Sequence, residues 1–148
     1  MALGFLIAAV VAFGLFQGLV EYRSFDPYGE RMLETRGYEV WRAIYESGHA
    51  GYLDDFLRFF IAGLVLGAVI TMASPFLVNV LGRSRLLWWV GICASAMATI
   101  AVCGCMLWMQ YASGQAADPE FEYGPGYFFL LIFPLLNFIG LLCIRKQH

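Results

Sequence analysis

The sequence predicts an all-α fold: a polytopic membrane protein with four transmembrane helices and a short amphipathic helical segment in its first outer loop. Three observations predict it. Four stretches carry no charged side chain: Met1 to Val20, Phe59 to Gly82, Leu86 to Ala117 and Tyr123 to Ile144. Each holds a mainly apolar run of about 18 residues or more, enough to cross a hydrocarbon core of roughly 30 Å. The composition agrees, with 61% hydrophobic and 14% charged residues over 148 positions, where a water-soluble domain has about 25% charged residues. The basic residues, finally, are distributed unevenly between the loops.

The expected layout is one domain over residues 1–148. Its spans are expected at about residues 2–20, 57–81, 86–111 and 127–144, with outer loops at 21–56 and 112–126, a cytoplasmic turn at 82–85 and a tail at 145–148. The first span lacks a basic leader region and a small-x-small cleavage pattern, so it is expected to be retained rather than removed as a signal peptide. Gly14 and Gly18 lie four residues apart in it. The second span repeats the pattern with Gly63 and Gly67. In the third, Gly91, Ser95, Thr99 and Cys103 recur every four residues. Such rows let helix backbones approach closely where lipid removes the hydrophobic incentive to associate, and packing within the four-helix bundle is the expected use. The fourth span opens with a run, Tyr127 to Phe133, that is bulky on all sides, and this span is expected to face lipid or a large partner more than the others do. Pro75 and Pro134 fall inside spans, where neighbouring groups are expected to satisfy the freed carbonyls. Asn79, expected near the inner interface, and the deeper Asn137 both fall in the cytoplasmic half, placed to meet across the bundle.

Orientation follows from Lys and Arg in short loops. Arg83 and Arg85 occupy the short turn and Arg145 and Lys146 the tail, none beside an acid. Both termini are therefore expected in the cytoplasm, in the plasma membrane and specifically a bacterial inner membrane, since the chain is compact and has no Asn-x-Ser/Thr sequon. The first loop carries five arginines interleaved with eight acids between Glu21 and Arg58. Within it, Asp26-Pro27 is expected to start a helix that ends near Arg36-Gly37. A second short helix is expected from Tyr38, with Tyr38, Trp41 and Tyr45 on one face.

Several function classes drop out. There is no basic footprint for nucleic acid. All four cysteines, Cys93, Cys103, Cys105 and Cys143, lie in spans, so the disulfide-stapled outer loops of claudin- and tetraspanin-type proteins are excluded, as are the outward CxxC pairs of quinone-linked thiol oxidases. Small multidrug transporters place a carboxylate within their first span, and the only candidate here, Glu21, sits at its outer end. No catalytic residue, cofactor or metal site is expected: His49, Glu46, Asp54 and Asp55 match no HExxH or EF-hand spacing.

What remains is a non-enzymatic integral membrane protein acting through protein–protein contacts, as an accessory subunit, regulator or immunity-type binder of another membrane protein. Tyr38, Trp41 and Tyr45 are the expected docking residues, because Trp and Tyr are enriched at interface hot spots. Its expected partners are membrane lipids and another membrane protein or a second copy. The alternative is a small oligomeric channel or transporter lined by Asn79 and Asn137. Intramembrane ionisable groups usually mark a solute path, and the central parts of these spans have none.

Overall fold

In a computed structural model, which describes residues 1–25, 31–39, 41–42, 55–116 and 121–144, the uncharged stretches form four long helices. They are α1 (Ala2–Gly18), α2 (Asp55–Arg83), α3 (Arg85–Ala116) and α4 (Pro125–Leu142). Three segments are long and apolar enough to cross a membrane: Arg58–Arg83, Arg85–Gly104 and Pro125–Leu142. α1 is a shorter apolar helix of 17 residues. At 1.5 Å per residue it is about 25 Å long, against about 48 Å for the 32-residue α3.

The boundaries have local causes. Ser84 alone separates α2 from α3, and its hydroxyl accepts a long hydrogen bond from the Leu87 backbone N–H, a serine N-cap in the expected turn. α4 opens with Gly124 as N-cap and Pro125 at the first helical position, where the missing N–H costs nothing.

Small residues set which helices touch. A Cβ at Gly63 would collide with Ala101, and one at Gly67 would press on Ala98 and Phe133. A Cβ at Gly140 would come within 2.6 Å of Leu6. Gly91 lies more loosely between Leu81 and Leu141. Around Gly14 and Gly18 there is nothing within 4 Å. The Gly63 and Gly67 row therefore lies against α3 and α4, while the Gly14 and Gly18 row meets no neighbour.

These pairings make an up-and-down bundle. α1 runs antiparallel to α4, from Leu6 beside Gly140 to Phe13 and Phe16 stacked around Phe133. α3 runs antiparallel to both α2 and α4. The fourth helix does not face lipid more than its neighbours. It is the most enclosed span, with 44% of its apolar window buried against 28% for α2 and for α3. Its bulk is accommodated because the facing positions are small: Ala12 on α1, Gly67 on α2 and Ala98 on α3. Burial alternates around each helix, leaving outward apolar rows such as Leu3, Ile7, Val11 and Leu15 on α1.

The loop end is not all helical. Of the helix expected from Asp26 to Arg36, residues 26–30 lie outside the described residues and the rest is strand β2 (Arg31–Arg36), which pairs antiparallel with strand β1 (Val20–Phe25). Strand β3 (Phe121–Tyr123), from the second loop, pairs with the other edge of β1 and gives the order β2-β1-β3. The chain leaves α1 through Leu19 in an extended conformation and enters α4 straight from β3. Two adjacent antiparallel helices are thus prolonged as two adjacent antiparallel strands. After β2, residues 37–39 and 41–42 are helical. Glu39 Oε2 accepts the Arg36 backbone N–H at 2.8 Å, the reach-back half of a capping box. That turn begins where a helix was expected from Tyr38. The remainder, including Tyr45, lies outside the described residues, as do His49 and Asp54.

Candidate functional site

At the loop end, Trp41 is partly buried and packs against the core of Phe16, Phe60, Tyr127 and Phe133. Its Nε1–H donates to Gln17 Oε1 on α1 at 2.9 Å. Gly37, just before it, lies so close to the Phe16 carbonyl that no side chain would fit. Trp41 is consequently an anchor that holds the first loop on the end of the bundle. Tyr38 is 54% exposed and points away from it. Of the three residues expected to dock a partner, one is fastened inward, one is presented outward, and Tyr45 is outside the described residues.

Along the bundle, α3 makes a ladder of hydrogen bonds with α4. Trp88 Nε1–H donates to the Leu141 carbonyl at 3.0 Å. Asn137 Nδ2–H donates to Ser95 Oγ at 3.1 Å. Thr99 Oγ1 shares its proton between its own helix at Ser95 and the Pro134 carbonyl at 3.2 Å. Cys103 Sγ approaches the Leu131 carbonyl at 3.6 Å, and Tyr127 Oη donates to the Met106 carbonyl at 3.5 Å. The row of Ser95, Thr99 and Cys103 is thus a row of donors and acceptors as well as of small residues. Its bonds flank Leu130, whose carbonyl Pro134 cannot serve for want of an N–H. The sequence signal was present: hydroxyl and thiol groups every fourth residue, in the span that precedes a proline-interrupted one.

Between the two apolar clusters lies a neutral polar layer. One cluster, at the loop end, is built on Phe16, Leu64, Leu130 and Phe133, and the other, at the turn end, on Leu6, Leu81, Ile92 and Leu141. Thr71, Ser74, Ser95 and Asn137 are the buried polar residues among those described, each no more than 3% exposed. Ser74 Oγ returns its proton to the Ile70 carbonyl at 2.6 Å, immediately before Pro75. Asn79, by contrast, is exposed on α2, and the partner of Asn137 is Ser95. None of the four buried groups titrates in the physiological range, so this layer offers hydrogen bonding. Comparison with protein-family models, characterised proteins and solved structures gives no match.

Proposed function

We propose that this is a non-enzymatic four-span membrane protein that works through its loop-end cap, as an accessory subunit, regulator or immunity-type binder of another membrane protein. The observation that carries this is the pairing of an anchored Trp41 with an exposed Tyr38 on one short turn. A loop tied to the bundle presents an aromatic ring with little ordering cost on binding, which favours affinity. The sheet supports the same reading, because strand pairing joins both loops into one folded unit.

α1 is the fourth span in this proposal. It lies along α4 from Leu6 to Phe16 and shows a continuous apolar row to the surroundings. Its roughly 25 Å falls short of the hydrocarbon thickness by only a few ångströms, which local thinning or flanking residues accommodate at modest cost. Arg83 and Arg85 put the turn, and with it both termini, on the cytoplasmic side, and the cap outside, in a bacterial inner membrane. The conduction alternative gains no support, since the buried polar side chains are confined to one layer between two apolar clusters.

Purification of the complex in mild detergent, with the accompanying proteins identified, tests the proposal. Tyr38→Ala is expected to reduce recovery of a stoichiometric partner without lowering the melting temperature. Undiminished recovery with Tyr38→Ala would remove the cap from the account.

A further inference from the structure

We propose that the centre of the bundle holds one ordered water molecule, bound by Thr71 of α2, Ser95 of α3 and Asn137 of α4. The three residues share a layer. One turn nearer the loop end, Gly67, Ala98 and Phe133 meet within 3.5 Å of a glycine Cβ position. Thr71 and Asn137 are each four residues further along their helices, which run parallel, and Ser95 is three residues back along the antiparallel α3. A step of one turn is about 5.4 Å on every helix, so all three arrive together and on the same inward faces. Their exposures are 0%, 2% and 1%. On the fourth side, Leu6 against Gly140 and Phe13 against Phe133 bracket Ala9, a small and fully buried residue.

The layer's hydrogen bonding is incomplete from protein groups alone. Asn137 Nδ2 reaches Ser95 Oγ, but Asn137 Oδ1 and Thr71 Oγ1 are buried with no partner. Turning the amide over would exchange which end is left, not remove the deficit. Pro75, four residues beyond Thr71, also has no N–H to give the Thr71 carbonyl. A buried acceptor and a buried hydroxyl in one layer, without a direct bond between them, are the arrangement that internal water satisfies, and such a water typically makes two to four bonds. It donates to Asn137 Oδ1 and accepts from the Thr71 hydroxyl, with Ser95 Oγ as a third contact. A metal cation suits the layer poorly. Among the described residues no carboxylate lies at this level, and a bare charge near the bilayer centre is costly.

Crystals of the full-length protein grown from lipid, diffracting well enough to show ordered solvent, test this. The expected result is a single density peak at about 2.6–3.2 Å from both Asn137 Oδ1 and Thr71 Oγ1. The peak is expected to vanish in Thr71→Val and to persist in Thr71→Ser, which keeps the hydroxyl. A direct Thr71–Asn137 hydrogen bond, an empty gap, a peak at metal–oxygen distances near 2.4 Å, or a peak that survives Thr71→Val would each overturn the proposal. Should Thr71→Val not fold, the wild-type and Thr71→Ser crystals still decide it.

Discussion

Trp41 shows how a single side chain changes meaning once its neighbours are known. Its indole spends its one donor on Gln17, so Trp41→Phe is expected to keep most of the packing and lose one partly buried hydrogen bond, about 1 kcal/mol. Thermal unfolding in detergent should register a modest loss for Trp41→Phe and a larger one for Trp41→Ala; no change in either would detach the loop from the bundle. Glycines give a sharper contrast. Gly63→Val forces a branched side chain onto Ala101 and is expected to cost about 1–3 kcal/mol, the usual range for overpacking. Gly14→Val meets nothing and should melt like the wild type. Both glycines sit in the same four-residue pattern, and a sequence pattern does not say which side of a helix is inside. Three-dimensional neighbours decide that, and α1 turns its glycine row away from α4. The anchoring of Trp41 was not legible: the aromatic was visible, but Gln17, the residue that fastens it, had no distinguishing spacing.

At the scale of elements, helix existence was legible and loop structure was not. Long uncharged runs with turn signals between them leave few alternatives to helices, and the observed ends at Gly18, Arg83, Arg85 and Pro125 lie within two residues of those expected, apart from the longer α3. The strands were missed because Asp26-Pro27 reads as a helix start in the sequence, while β1 is a strand through its pairing with β2 and, about a hundred residues away, with β3. No local propensity carries that information. The register sets Arg23 opposite Glu34 on one side and Glu122 on the other. Arg23→Pro would remove a backbone N–H from the ladder of this central strand, where proline is not tolerated. Amide hydrogen exchange of β1 is expected to quicken in that variant, and exchange equal to wild type would contradict the central place of β1. On the helix side, the α3–α4 ladder predicts that Thr99→Val weakens the bundle by about 0.6 kcal/mol, typical of an interhelical bond in a membrane. A variant as stable as wild type would show that Thr99 is served by its own helix alone.

The whole molecule combines an apolar exterior, a neutral polar layer at mid-height and a cap in which the two loops are paired. The misplaced expectation for the fourth helix belongs to this scale. Bulk on every side looks like a lipid-facing surface when a segment is considered alone. Beside the small faces of α1, α2 and α3, the same bulk fills the centre. Topology is the claim on which the rest depends, since both termini lie with the Arg83–Arg85 turn, opposite the cap, only if all four helices cross. The most direct measurement is single-cysteine labelling with a membrane-impermeant reagent, in intact cells and in inverted vesicles, at Ala2→Cys, Tyr38→Cys and Ser84→Cys with the native cysteines replaced. Labelling of Tyr38→Cys from the outside, and of Ala2→Cys and Ser84→Cys only from the inside, is the predicted result. Labelling of Ala2→Cys and Tyr38→Cys from the same side would contradict it.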